Sequence, residues 1–180
     1  ILDALAMYRP GIPIVWNTGG YETLETLKML NGAVDIYLPD LKHVSSRLSK
    51  LCAYAEDYFG AASRAVEEMC RQTGEAVYDE HGILQKGTLV RHLILPGCTG
   101  DSCRVLDFIA EKLPKGTPVS LMRQYTPIPE CRVAGLGRRV TDQEYARVLS
   151  HFEALGLSGY TQEKEAADSG YTPPFDLTGV

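Results

Sequence analysis

Short apolar runs and helix-period patterns take turns along this chain. Residues 12–16 of "IPIVWNTGG" form an apolar run closed by a glycine pair, which predicts a strand. Leu24, Leu27 and Leu30 then recur at helical spacing, and Asn31-Gly32 supplies the stop. "VDIYLPDLK" (34–42) predicts a second strand. Residues 45–73 read as helical, broken into two helices at Gly60 and capped by Gly74. A third strand is expected at 88–95 after a "DEHG" turn. The helix after it starts near residue 100, with Asp101 or Ser102 as N-cap. "TPVSLMRQYTP" (117–127) holds a fourth strand, and Thr141 and Glu144 form a capping box that opens the last long helix. The opening "ILDALAMYRPG" resembles the end of a helix stopped by Pro10-Gly11, as if an N-terminal portion were absent.

Strand–helix alternation of this kind calls for an α/β fold, with a parallel sheet and helical crossovers. It covers 1–158; residues 159–180, rich in Gly, Pro and Thr, are expected to form an irregular tail. Ligands of such folds bind beyond the C-terminal ends of the strands. The polar residues of this sequence gather there: Asn17 and Thr18 after the first strand, Asp40 and Lys42 at the end of the second, Gln124 and Tyr125 at the end of the fourth. Arg91 lies within the third strand among apolar neighbours.

Alternation along a strand points Asp40 and Lys42 the same way. Such a pair offers one partner for a cation and one for an anion, which suits a zwitterion. Arg91 adds a planar fork for a carboxylate. The plainer reading is a salt bridge at a strand end, with Arg91 snorkelling out of the sheet.

Composition narrows the function classes. The 180 residues carry 18 Lys+Arg against 23 Asp+Glu, a formal net charge of −5, so there is no basic footprint for nucleic acid. No apolar run is long enough to span a bilayer and no signal-peptide pattern opens the chain, which predicts a cytoplasmic protein. The cysteine count of 5 is odd and argues against a disulfide framework. Cys98, Cys103 and Cys131 admit a metal-site reading. The Cys-x4-Cys spacing of "PGCTGDSC" is not that of a zinc knuckle, however, and small apolar thiols are the simpler account. Cys52 and Cys70 read as core residues. His92 points away from Arg91, and His43, His81 and His151 have no evident partners.

Four stretches carry a resemblance, "PIVWNTGGYETLETLKMLNGAVDIYLPDLK", "LVRHLILPG", "SLMRQYTP" and "GYTQEKEAADSGYTPPFDLTGV", and within them "PDLK", "RHLILPG" and "QYTP" at these spacings are specific together, each alone being weak. They resemble the radical S-adenosylmethionine (radical SAM) superfamily, in particular proteins related to pyruvate formate-lyase activating enzyme. The resemblance implies the C-terminal four βα units of a partial (β/α)6 TIM-like barrel. It implies S-adenosylmethionine lying across the strand ends on a [4Fe-4S] cluster, with reductive cleavage giving a 5′-deoxyadenosyl radical that abstracts a substrate hydrogen. In activating enzymes that hydrogen belongs to a glycine of a partner glycyl-radical enzyme. An electron donor and a protein or peptide substrate are the implied partners. By the same resemblance Asp40 and Lys42 lie near the methionine moiety and Arg91 faces the cofactor. Asn17-Thr18 occupies the place of an Asp-Thr pair that helps hold a cation, with Asn as a departure. Gln124 or Tyr125 falls where relatives carry a His.

The Cys-x3-Cys-x2-Cys motif that holds the cluster does not occur in the sequence. The reading therefore places the cluster cysteines upstream of Ile1, with the first two βα units, and expects the isolated chain to be inactive. It also expects self-association through the open edge of the strand at 12–16. Two other classes stay in view: a cluster-less barrel acting as a binding or interaction module, and a barrel enzyme using Lys42 as a Schiff-base or phosphate-binding lysine.

Overall fold

In the computed structural model, residues 1–127, 133 and 135–162 are described. Their elements run α1 (Leu2–Met7), β1 (Val15–Thr18), α2 (Leu24–Leu30), β2 (Ile36–Pro39), α3 (Ser46–Ala53), α4 (Tyr58–Thr73), β3 (Val77–Tyr78), β4 (Leu84–Thr88), β5 (Val90–Leu93), α5 (Thr99–Lys112), β6 (Val119–Met122), α6 (Asp142–Ala154) and β7 (Gly159–Thr161).

The strands pair in parallel, and their spatial order follows the chain. β1 lies beside β2, and β2 beside β4. β5 continues the line of β4. The Leu89 amide donates to Tyr37 O (2.9 Å), the Leu41 amide donates to Arg91 O (2.9 Å), and Asp40 bridges to Arg91. β2 therefore runs alongside the whole of 87–91. β5 pairs with β6, and β6 with β7. β3 is the antiparallel exception, a hairpin partner of β4. Its turn is made by Asp79, whose carboxylate accepts the amides of His81 and Ile83.

Helices cover one face of the sheet. Ala62, Ala65, Val66, Met69, Cys70 and Thr73 repeat at three- and four-residue steps along α4 and are all buried. Of these, Ala62, Val66 and Cys70 join Val105, Leu106 and Ile109 of α5 and Val148 and Phe152 of α6 against Val90, Val119 and Leu121. A second cluster sets Leu27 and Leu30 of α2 against Tyr37 and Met69. The other face carries Leu38, Leu89, Arg91, Leu93, Ser120 and Met122, all half-buried. The strict alternation of buried and half-buried positions in β5 and β6 records these two environments.

Several boundaries differ from the sequence expectation. The first strand lies at 15–18 instead of 12–16, because Pro13 has no amide for a ladder and Ile14 O is taken by the amides of Asp35 and Ile36. The break in 45–73 falls at 54–57, where Tyr54 turns left-handed (φ 55°), not at Gly60. Gly60 sits in the first turn of α4, where a glycine interrupts little. α5 begins at Thr99, so Asp101 is inside its first turn and neither it nor Ser102 is the cap. The third strand starts earlier, at Leu84.

The expected irregular tail opens with a strand. Gly159 (φ +143°) lies so near β6 that an added Cβ would stand 2.0 Å from Val119 O. A residue that reads as a turn signal is thus what lets β7 dock. Residues 163–180 lie outside the described residues.

Candidate functional site

β2 ends at Asp40, and the pairing with the 84–93 run sets Arg91 beside it. Arg91 NH2 stands 2.7 Å from Asp40 Oδ1, and Lys42 Nζ stands 3.5 Å from Oδ2. One carboxylate thus sits between two cations, leaving a surplus positive charge at the strand ends. The two contacts are unequal. The guanidinium contact is short and more sheltered, whereas the Lys42 side chain is 43% exposed. Arg91 Nε is buried with no hydrogen-bond partner among the described residues, although a buried donor ordinarily has one. The salt bridge expected at this strand end is present, and Arg91 is part of it instead of snorkelling outward.

Backbone contacts hold this group from the helix side. The Tyr58 hydroxyl, at the start of α4, accepts the Lys42 amide (3.1 Å) and shares its proton between Asp40 O (2.8 Å) and Gly19 O (3.0 Å). Burial pushes its phenol well above the usual range, so it stays a donor. The loop after β2 is held in turn by Asp101, whose carboxylate accepts the amides of Val44 (3.1 Å) and Ser45 (2.9 Å). His92, fully buried, lies 2.8 Å through Nδ1 from Leu41 O. Burial lowers the pKa of His92, and pushes that of His43 down to about 4 against the opposing pull of Asp101 at 3.9 Å.

A cleft of about 800 Å³ opens over the half-buried face. Asp40, Lys42 and Arg91 line its charged end; Leu93, Met122 and the edge of α3 at Leu51 line an apolar end. Gln124 and Tyr125 both contribute. Gln124 Oε1 accepts from Gln162 Nε2 (3.0 Å), and the Tyr125 hydroxyl donates to Leu136 O (2.9 Å). A second cleft of about 630 Å³ shares Leu51, Val133 and Leu136 with the first and runs to the start of α5.

The cleft therefore gathers Asp40, Lys42, Arg91, Gln124 and Tyr125. Asn17 and Thr18 do not line it. Asn17 is exposed at the end of β1. Thr18 is buried, where its hydroxyl accepts the Gly20 amide (3.1 Å) and donates to Glu22. Burial raises the pKa of the Glu22 carboxyl. Cys52, expected in the core, is exposed at the cleft rim, while Cys70 is buried. Among the described residues no group of three or more His, Cys, Asp or Glu gathers as a metal site; Cys131 lies outside them. His43, His81 and His151 stand near Asp101, Glu80 and Asp107. No helix among the described residues is long and apolar enough to cross a membrane.

Tyr58, Glu22 and His43 are site neighbours that sequence reasoning did not single out. The Gly19-Gly20 pair was visible only as a strand stop. Tyr58 lies in a long helical pattern, where nothing in the spacing marks one hydroxyl as a contact to two strand ends.

No protein-family model matches the chain. It is 28% identical over 160 residues to the uncharacterized protein MJ0674 of Methanocaldococcus jannaschii. The match covers 87% of this chain and 43% of that protein, so the chain spans less than half the length of the relative. Among solved structures it resembles a domain of pyruvate-formate lyase-activating enzyme from Bacteroides vulgatus. The TM-score is 0.61 with 12% sequence identity, and the match covers 85% of this chain and 83% of that domain. At that identity the likeness is one of fold: an α/β arrangement of parallel strands and helices.

Proposed function

We propose that these residues belong to a radical SAM enzyme and that the charged end of the cleft reads the methionine moiety of S-adenosylmethionine. The observation that carries this is the Asp40 carboxylate held between Arg91 and Lys42 at the strand ends, in a cleft that also presents Leu93, Leu95 and Met122. The fold likeness supports it. So does the sheet, whose parallel strands follow chain order with helices on one face; such a sheet suits one side of a (β/α)6 barrel, with the half-buried face as its interior.

The residues fit the ligand. An amino-acid ammonium can replace Lys42 on Asp40, since that contact is the longer one. Lys42 and Arg91, whose Nε has no partner among the described residues, are then available to the ligand carboxylate. Leu93 and Met122 suit the less polar remainder of the molecule. When bound and reductively cleaved, S-adenosylmethionine supplies the radical that takes hydrogen from a substrate. This chain's residues bind and orient. They do not fit the iron–sulfur cluster, for which neither the motif nor a thiol cluster among the described residues is present.

The test uses the protein expressed from its complete reading frame, reconstituted anaerobically with iron and sulfide and reduced in the presence of S-adenosylmethionine. 5′-Deoxyadenosine is expected. Lys42→Ala is expected to weaken S-adenosylmethionine binding by about tenfold, equivalent to about 1.4 kcal/mol. Absence of both product and binding in the unmutated protein would sink the reading.

A further inference from the structure

The Tyr58 hydroxyl lies on the opposite side of the sheet from the cleft, yet it touches the backbone of both loops that build the charged end. It accepts the amide of Lys42 and donates toward the carbonyls of Asp40 and Gly19, all within 3.1 Å. The Lys42 main chain is thereby tied between the ends of β1 and β2. Its side chain runs the other way, over Gly19, where a Cβ would lie 3.6 Å from Nζ. Lysine carries several rotatable bonds, so the reach of its ammonium is set by where its Cα is held. Among the described residues Lys42 Nζ makes one ion pair, the 3.5 Å contact with Asp40, and its side chain is nearly half exposed.

We infer that Tyr58 is the positioning residue of Lys42: its hydroxyl fixes the Lys42 backbone so that the ammonium reaches a ligand anion at the charged end of the cleft. Tyr58 itself touches no ligand in this assignment. The inference rests on the functional reading above, because the ligand carboxylate is what Lys42 is being positioned for. The Tyr58 ring packs in the core and stacks on Tyr21 at 5.7 Å, so Tyr58→Phe removes the hydroxyl and keeps the ring. Lys42→Met removes the ammonium and keeps the amide that Tyr58 accepts.

The experiment is a double-mutant cycle on the protein from its complete reading frame. S-adenosylmethionine binding is followed by calorimetry, and thermal unfolding is measured in parallel. Tyr58→Phe is expected to raise Kd about three- to tenfold, the range of one lost hydrogen bond. Lys42→Met is expected to raise it about tenfold. The double variant should lose less than the product of the two single losses, because the hydroxyl acts in part through the ammonium. A purely structural role would lower the unfolding temperature and multiply the two losses, and that result overturns the inference while leaving the site reading intact. Unchanged Kd in Tyr58→Phe overturns it as well. If Lys42→Met binds like the unmutated protein, the site reading fails and takes this inference with it.

Discussion

Gly20 and Asp40 touch through their backbones: a Cβ on Gly20 would stand 2.1 Å from the Asp40 carbonyl oxygen. Gly20 also holds φ +80°, a region that side chains disfavour. The loop after β1 therefore rests directly on the residue that carries the central carboxylate. Gly20→Ala should destabilise the fold by about 2 kcal/mol or more, from clash and backbone strain together. Denaturant unfolding measures this. Gly11→Ala, where no atom lies within 4 Å of an added Cβ, is the control and should cost less than about 0.5 kcal/mol.

Acid should loosen the core beneath the site. Burial pushes His43 from its usual 6.5 down to about 4, and the fully buried His92 moves in the same direction. A depressed histidine binds fewer protons in the folded state than in the unfolded one. Stability is therefore fully present above about pH 6.5 and lost as pH falls toward about 4. For His43 the difference amounts to about 3 kcal/mol. The groups facing it are Asp101, which opposes the shift, and His92 and Lys42, which favour it. Unfolding free energies between pH 7 and pH 4 should show this slope, and His43→Gln should remove the His43 share of it, leaving that of His92. An unchanged slope would place the acid sensitivity elsewhere.

The last helix is anchored by one carboxylate. Glu144 completes the capping box with Thr141, pairs with both terminal guanidinium nitrogens of Arg138, and accepts the Gly97 amide at 2.6 Å. These partners hold its carboxyl far below the usual carboxylate range. Thr141→Ala should cost about 1 kcal/mol, the ordinary loss of a cap. Glu144→Ala should cost more, because it also releases Gly97 at the turn after β5. Equal losses in the two variants would show that the Gly97 contact contributes nothing.

We expect the 180-residue chain to self-associate through β1. Among the described residues β1 pairs with β2 alone, and Ile12 and Val15 beside that open edge are 69% and 48% exposed. Unpaired strand edges with apolar side chains recruit further strands. Light scattering should report concentration-dependent dimers, and Val15→Lys should return the chain to monomer. A monomer at high concentration without the substitution would remove this expectation.

How much of this was legible beforehand depended on the range of the interaction. The capping box of α6 is a contact between residues three apart, and it occurs where the sequence places it. The burial pattern of α4 follows from its own spacing of apolar residues. Arg91 and His92 lie on opposite faces because strand side chains alternate. β7 and the break at 54–57 were misread because Gly159 and Gly60 look like interruptions when only neighbours in sequence are considered. What each glycine does depends on what approaches it. Val119 approaches Gly159, and nothing lies within 4 Å of an added Cβ at Gly60.

The same division holds for the site. Sequence alone determined that Asp40 and Lys42 end a buried strand on one face, and that an arginine lies inside another strand, because side-chain alternation is a local property of the backbone. Only the tertiary structure decided that Arg91 is the stronger partner of Asp40, that Asn17 and Thr18 stand outside the cleft, and that Tyr58 ties the two loops together. Those facts depend on strand register and on how a helix packs across the sheet. Both are set by the summed burial of residues far apart in the chain, which no single stretch of sequence contains.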